Sequence, residues 1–240
     1  MIDAITIAES GIQSQQKVID QISNNMANLN TNAYKKSSME FSQLVNTDSS
    51  NQLLGVSSHQ YLDFSEGPLK QTGLPLDFAI RGDGFFEVEN AQGERLYTRL
   101  GRFVTDEFGY LKTQEGYFLT TNVRVPENAT SVMVDSDGTV KATYPGSNVL
   151  KEIGEINILS FSNPQGLELN SGGFYNTTQQ SGDPEITNDS LIVQGSLEAS
   201  NVDIISEMGE MMLAQHSYQM NSKILQVSDE ILGIINNLKR

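Results

Sequence analysis

The fold is decided first by residues 5–29, which read ITIAESGIQSQQKVIDQISNNMANL. Apolar residues recur here every seven positions, and a companion row follows three residues later with Gln15 as its polar member. The two rows are Ile5, Ile12, Ile19 and Met26, then Ala8, Gln15, Ile22 and Leu29. This spacing predicts an amphipathic helix of the coiled-coil type. We expect it to end within residues 28–32, because Asn tolerates the left-handed turn of a helix end.

Residues 200–240 return to helical spacing. Ser200 and Asn201 are the expected cap at the start, with Asp203 and Glu207 near the positive end of the helix dipole. One seam advances by alternating steps of four and three, and a second apolar row lies near the end. The seam is Ile204, Met208, Met211, Gln215, Tyr218, Ser222, Leu225, Asp229 and Leu232, and the second row is Ile224, Ile231, Ile235 and Leu238. We predict a second amphipathic helix, which either pairs with the first as an antiparallel hairpin or bundles with other chains.

The region between the helices changes to a period of two, which is typical of strands. Turn residues at 90–93, 106–109 and 135–138 separate alternating stretches and predict three hairpins, and 155–161 predicts one more strand. Short strands with this regular punctuation favour an antiparallel β-domain. Residues 34–45 fit neither pattern, and the Ser-, Asn- and Gln-rich residues 46–60 predict an extended connection.

These patterns predict an α+β fold in which N- and C-terminal coiled-coil helices flank a central antiparallel all-β domain. The N-terminal helix and the start of a connector take residues 1–45, and the extended connector takes residues 46–61. The β-domain takes residues 62–189. The C-terminal helix takes residues 190–240 and packs with the first, so that the helical domain is discontinuous in sequence.

Composition and charge restrict the classes of partner. The chain has 240 residues, no Cys and a net charge of −15, of which residues 46–199 carry −12. An acidic surface repels nucleic acid and anionic membranes, so we expect neither as a partner. No run of about 18 apolar residues is present, which excludes a membrane-spanning helix and direct membrane insertion. Met1-Ile2-Asp3-Ala4 lacks the basic region of a secretory signal peptide.

The residues suggest no catalytic, metal or cofactor site. The loop that starts at Asp135 lacks the Glu that a calcium-binding EF-hand needs at its twelfth position, where Gly146 stands. Gly82-Asp83-Gly84 lacks the remainder of a phosphate-binding loop and is better interpreted as a turn. His59 and His216 are isolated from residues that would complete a triad or a metal site. We therefore expect a protein that is not an enzyme and uses no cofactor.

Several separate motifs resemble those of bacterial flagellar rod and hook proteins, and they cover nearly the whole chain in order. They are Ser23–Asn28 with Tyr34-Lys35, Pro75–Ile80 with Gly82–Phe86, Tyr97–Phe103, Gln194–Val202, and Gln219–Lys223 with Asp229-Glu230. The matching positions include Asn24, Asn25, Ala27, Asn28, Gly82, Gly84, Phe85, Phe86, Gly195, Ser200 and Asn201. Phe161–Glu168 favours the distal rod type. The short stretch 46–60 keeps the proximal type open, and the length of the chain disfavours the hook protein.

The resemblance implies a structural subunit of the flagellar basal-body rod. Such a subunit is exported through the flagellar export apparatus without a cleaved signal peptide, and it assembles helically in the periplasm with copies of itself. Its partners are other rod proteins, the hook protein and, for the distal type, a surrounding bushing ring. The rod is a drive shaft that transmits torque from motor to hook. Its terminal helices are expected to pack with other subunits.

This expectation names a set of subunit-packing residues. They are Ile5, Ile12, Ile19, Ile22, Met26, Leu29, Ile204, Met208, Met211, Tyr218, Leu225, Leu232 and Ile235. Two hypotheses from other classes stay open on the residues alone. One is a monomeric carbohydrate-binding or hydrolytic β-domain with helical tethers, and the other is a cytosolic coiled-coil adaptor or export chaperone.

Overall fold

The computed structural model describes residues 2–45, 53–90, 92–121, 123–187 and 189–238. Two long helices stand near the ends of the chain, and antiparallel strands lie between them. The α+β class expected from the sequence is therefore confirmed. In the described residues, neither helix contains a segment with the length and hydropathy needed to cross a bilayer.

The helices are α1, Ile2–Ala27, and α2, Ile204–Leu238, and a short 3-10 helix spans Pro164–Gly166. The strands are numbered in chain order. They are β1 Ser37–Val45, β2 Leu53–Leu62, β3 Leu69–Gln71, β4 Phe78–Arg81, β5 Phe85–Glu89, β6 Arg95–Thr98, β7 Val104–Thr105, β8 Leu111–Lys112, β9 Phe118–Leu119, β10 Ser131–Val134, β11 Thr139–Tyr144, β12 Ser147–Glu155, β13 Ile158–Ser160, β14 Glu168–Leu169, β15 Phe174–Asn176, β16 Glu185–Ile186, β17 Leu191–Gln194 and β18 Ser196–Glu198.

The chain divides into two compact units. The β unit consists of Asn30–Lys35 and Phe64–Asn201. The helical unit consists of Met1–Leu29, Lys36–Asp63 and Val202–Arg240, and therefore contains α1, α2 and the β1–β2 ribbon. Each unit is built from segments that are distant in sequence.

The two helices of the helical unit pack against each other in antiparallel directions. Near one end of the contact, Asn25 of α1 is hydrogen-bonded to Glu207 of α2. Gly11, which precedes Asn25 by fourteen residues in α1, lies against Asn221, which follows Glu207 by fourteen residues in α2. The hairpin alternative left open by the sequence is therefore the arrangement within one chain.

Residues that the sequence did not assign to secondary structure form a two-stranded ribbon. β1 pairs with β2 from Ser37 opposite Leu62 to Val45 opposite Leu53. The expected connector 46–61 is therefore corrected from Leu53 onward, while residues 46–52 lie outside the described residues. The pattern was missed because Ser and Gln are interspersed among the apolar residues of these strands and leave no clear apolar face.

The β unit is antiparallel throughout its described pairings. Its largest sheet runs in the order β14-β15-β6-β5-β9-β8-β7, and β13 joins β5 to β16. β10, β11 and β12 form a separate meander, and two pairs are β17 with β4 and β18 with β3. The hairpins expected at 90–93, 106–109 and 135–138 are present as β5–β6, β7–β8 and β10–β11. The strand expected over 155–161 is shorter, because β12 ends at Glu155 and β13 begins at Ile158.

The core of the β unit is aromatic and aliphatic. Phe86 is fully buried and meets the ring of Phe103 edge-on, with 5.6 Å between ring centroids. The ring of Phe78 lies tilted against the ring of Phe103, with 6.0 Å between ring centroids. A Cβ on Gly101 would lie 1.6 Å from the carbonyl oxygen of Phe78, so only Gly permits this close approach.

The chain enters and leaves the β unit along neighbouring paths. The backbone N–H of Ala33 donates to the carbonyl oxygen of Glu198, and that of Asn201 donates to the carbonyl oxygen of Tyr34. Lys35 Nζ lies 2.6 Å from Glu198 Oε1, and both side chains are buried. Leu191–Gln194 and Ser196–Glu198, which the sequence grouped with the C-terminal helix, form β17 and β18 of the β unit. The boundary expected at 190 is therefore wrong.

The cap of α2 is also corrected. The carboxylate oxygens of Asp203 accept hydrogen bonds from the backbone N–H groups of Ile205 and Ser206. Asp203 thus satisfies the free donors of the first turn, in place of the expected Ser200 and Asn201. The latter two precede the helix, and Asn201 donates to Ser65 within the β unit.

Candidate assembly surface

One side of α2 presents a long row of large apolar side chains to solvent. All of its members are exposed: Ile205, Met208, Met212, Met220, Ile224, Val227, Ile231 and Ile234. Successive members are three or four residues apart, except between Met212 and Met220, where His216 occupies the intermediate helical position. This spacing keeps the row on one side of the helix for about eight turns. We call these eight residues the outward row. Apolar rows of this extent are normally covered in a folded or assembled protein.

The opposite side of α2 carries small and polar residues and faces α1. Glu207, Ala214 and Ser228 are buried there, and Asn221 is half-buried at the same seven-residue spacing. A Cβ on Gly11 would lie 2.7 Å from Asn221 Nδ2, so the helices approach closely at this point. The helix pair within one chain therefore uses the small face of α2 and leaves its most apolar face uncovered.

A buried polar cluster ties the two helices to the start of the ribbon. The side-chain amide of Asn25 donates to Glu207 Oε2 at 3.1 Å and to the carbonyl oxygen of Ser37 at 2.9 Å. Its Oδ1 accepts from the backbone N–H of Ser37 at 3.1 Å. Gln21 Nε2 donates to the Ser37 hydroxyl at 3.0 Å. We call Gln21, Asn25, Lys36, Ser37 and Glu207 the polar clasp.

The charge of Glu207 is balanced inside the clasp. Lys36 Nζ lies 2.6 Å from Glu207 Oε1 and 3.2 Å from Glu210 Oε1, and Glu207 has no exposed surface. Burial acts to lower the pKa of Lys36, but the hydrogen bonds and charges of Glu207 and Glu210 raise it above its usual value. The lysine therefore stays protonated and neutralises a carboxylate that could not be buried alone.

Comparisons with known proteins identify the family. The model of the flagellar hook protein FlgE/F/G D1 domain matches residues 79–142, and that of the flagellar basal body rod FlgEFG protein C-terminal region matches residues 193–238. The flagellar basal-body rod protein FlgG of Borreliella burgdorferi is 36% identical over 265 aligned residues, which cover all of both chains. The chain belongs to the flagellar basal-body rod protein family. FlgG of Bacillus subtilis is 34% identical and also covers both chains in full.

This rod protein is therefore a structural subunit of the flagellar basal-body rod, as the motifs suggested, and its likeness is to the FlgG type. A flagellar hook-basal body complex protein of Bacillus subtilis, FlhP, is 28% identical over the full length. The named relatives are structural flagellar proteins, and none supports the carbohydrate-binding or hydrolytic alternative.

The predicted packing residues of the rod protein fall into four groups. Ile22 is buried, and Ile12, Ile19, Met26, Leu29, Met211 and Leu225 are half-buried. Ile204, Met208 and Tyr218 are exposed. The side chains of Ile5, Leu232 and Ile235 lie outside the described residues. The predicted seam of α2 thus runs along the flank of the outward row and shares Met208 with it.

The sequence reading missed most of the outward row, although the signal was present. It singled out Ile224 and Ile231, but it treated them as a short second row near the C-terminus. Extending that row toward the N-terminus at helical spacing reaches Met220, Met212 and Ile205. The choice of a single heptad seam concealed it, because a strict seven-residue repeat drifts around a straight helix.

The family-motif residues lie in different environments. Asn25 is buried in the clasp, while Asn24 and Ala27 are exposed and Asn28 closes the end of α1 by donating to the carbonyl oxygen of Asn24. Gly82 and Gly195 have positive φ angles of 102° and 72°, which favour glycine. The remaining motif residues are buried in the β unit or lie on its chain path: Gly84, Phe85, Phe86, Ser200 and Asn201.

The β unit also has an open acidic cleft of about 790 Å³. Its lining includes four carboxylates and two exposed aromatic rings: Glu87, Glu89, Glu152, Glu155, Tyr110 and Phe118. Arg95 lies 3.3 Å from Glu87 and neutralises part of this charge. A cleft of this kind is the feature that a hydrolytic β-domain would need, but the relatives give that activity no support.

Proposed function

We propose that this rod subunit assembles helically with copies of itself through its paired terminal helices. The observation that carries the proposal is the outward row of α2, whose eight large apolar side chains are exposed within one chain. Covering it against helices of neighbouring subunits removes apolar surface from water, at roughly 25 cal/mol per Å². Coiled-coil packing between subunits is one geometry that such rows support.

The resulting rod is the periplasmic drive shaft that carries torque from the motor to the hook. Its other partners are further rod proteins, the hook protein and a bushing ring around the distal rod. The subunit reaches this location through the flagellar export apparatus without cleavage of a signal peptide. Family membership supports association with basal-body components. The specific partners go beyond that association and belong to the proposal.

The test places a charge in the outward row. Ile224→Glu is expressed in a strain that lacks the gene, and Ile224→Leu is the matched control because it keeps the position apolar. We expect truncated rods without hooks for Ile224→Glu, since an unpaired charge is strongly unfavourable in an apolar interface. Purified hook-basal bodies are imaged by electron microscopy.

Export is measured separately, from the amount of subunit outside the cytoplasm, so that a secretion defect is not mistaken for an assembly defect. Full-length rods and hooks with exported Ile224→Glu would show that the row does not mediate assembly. Short rods with Ile224→Leu as well would show that the position tolerates no change, whatever its polarity.

A further inference from the structure

The helix pair repeats every seven residues on both sides of its contact. On α2 the buried side carries Glu207, Ala214, Asn221 and Ser228. Gly11 and Asn25 of α1 face Asn221 and Glu207, and the seven-residue spacing places Val18 between them on the same side of α1. Apart from Glu207, these side chains are small or of medium size. Within this row, a slide by one repeat would place Gly11 against Ala214 or Ser228 in place of Asn221, and neither side chain is larger than Asn. Steric packing within this row therefore discriminates weakly between registers about 10.5 Å apart.

The polar clasp is the layer that distinguishes the observed register from its alternatives. In the observed register the amide of Asn25 reaches Glu207 and Ser37 at hydrogen-bond distance. A slide in one direction would place Asn25 against Ala214, and a slide in the other would place it beyond the start of α2 at Ile204. Either slide would separate the fully buried Glu207 from Asn25 and alter its pairing with Lys36. A buried carboxylate without partners is strongly unfavourable.

We propose that Asn25 and Glu207, held by Lys36 and Ser37, are the residues that determine the register of the α1–α2 pair. Lys36 and Ser37 are suited to this role because they belong to neither helix: Ser37 begins β1, and Lys36 directly precedes it. A single buried polar layer is a known means of selecting one register among several apolar ones. The pairing lies within one chain, so its test is separate from that of the assembly role.

The absence of Cys from the chain allows a direct measurement. Three double variants report the register by disulfide formation in the full chain under mild oxidation. Gly11→Cys with Asn221→Cys reports the observed register, and Gly11→Cys with Ala214→Cys or with Ser228→Cys reports a slide of one repeat. Disulfides require a Cβ–Cβ separation of about 3.5–4.5 Å, so we expect the first pair to form about ten-fold faster than the others.

The three pairs are then combined with Asn25→Leu. We expect the preference for the observed register to fall to about two-fold or less while the helical circular dichroism is kept, because the polar layer is lost and apolar packing remains. Asn24→Leu is the matched control, since Asn24 is the exposed neighbour on the same helix, and it should keep the ten-fold preference.

The possible outcomes are distinct. A ten-fold preference that survives Asn25→Leu overturns the proposal, and so do equal rates for the three pairs without that substitution. If Asn25→Leu loses its helical signal, Asn25→Gln is used, because its longer amide cannot keep both contacts at the observed distances. Loss of helix in both variants also overturns the proposal, since the clasp would then be needed for folding itself.

Discussion

The two units place their large apolar side chains in opposite ways. In the β unit, Phe78, Phe86 and Phe103 are buried against one another. In the helical unit, α2 directs small and polar residues toward α1 and exposes residues such as Met220 and Ile224. The difference indicates that the β unit derives its stability from its own core, whereas much of the apolar surface of α2 contributes nothing to the folding of a single chain.

The largest expected effect on stability comes from removing a buried ring from the core of the β unit. Phe86→Ala removes a fully buried ring and should lower the free energy of unfolding of the β unit by about 3–5 kcal/mol. Urea unfolding followed by the near-ultraviolet circular dichroism of tyrosine measures this loss. Phe108→Ala is the matched control, because Phe108 is 63% exposed and its removal should change stability by at most about 0.5 kcal/mol.

Equal losses of unfolding free energy for the two substitutions would contradict the comparison, since a buried ring would then contribute no more to stability than an exposed one. A small loss for Phe86→Ala would show that the surrounding rings close the cavity. Far-ultraviolet circular dichroism, which is dominated by α1 and α2, tests in the same samples whether the helical unit unfolds with the β unit or independently of it.

An intermediate loss of stability is expected at alkaline pH, and it too should be confined to the β unit. Burial first, and the nearby charge of Glu87 second, raise the pKa of Tyr97 to about 12. A raised folded-state pKa means that stability is fully present below the ordinary tyrosine value of 10 and is lost as the pH rises toward 12. Urea unfolding at a series of pH values from 9 to about 12 measures the slope.

Tyr97→Phe should flatten this alkaline loss, because Phe has no proton to release. Tyr110→Phe is the control, since Tyr110 is an exposed tyrosine of the same unit. An unchanged slope with Tyr97→Phe would assign the loss to another group, and the buried Tyr175, whose pKa is also raised mainly by burial, would be the next residue to replace.

The smallest expected effect lies in the outward row. Ile224→Ala should change the free energy of unfolding by no more than about 0.5 kcal/mol, because the side chain is 49% exposed. Ile22→Ala makes the same substitution on α1 at a residue that is 3% exposed, and it should cost about 2–5 kcal/mol. Thermal unfolding followed by helical circular dichroism compares the two. A large loss for Ile224→Ala would mean that the row is covered within one chain.

Local patterns were sufficient to predict most of the fold. Seven-residue spacing predicted both helices, and the turn residues at 90–93, 106–109 and 135–138 predicted three hairpins, because turn chemistry depends on neighbours in sequence. The β1–β2 ribbon was missed because its serines and glutamines mask the apolar alternation that identifies strands. The boundary at 190 was wrong because β17 and β18 pair with β4 and β3, more than 100 residues away.

The candidate site was less accessible to sequence reasoning. Family motifs singled out Asn25, but its partners Ser37 and Glu207 are known only from the fold, since the latter stands 182 positions away. The seam chosen for α2 contained Met211 and Leu225, which are half-buried, and it passed beside the more exposed row. Periodicity identifies the apolar faces of a helix, but the fold decides which face is covered.

The adjacent paths by which the chain enters and leaves the β unit have an evolutionary consequence. Because Ala33 and Tyr34 are hydrogen-bonded beside Glu198 and Asn201, the β unit is topologically an insertion closed at its base by the Lys35–Glu198 ion pair. Hairpins can be lengthened, shortened or exchanged beyond that base without changing the distance between the two ends that return to the helical unit. Descendants of one ancestral subunit could therefore diversify the β unit while both helices keep a common pairing.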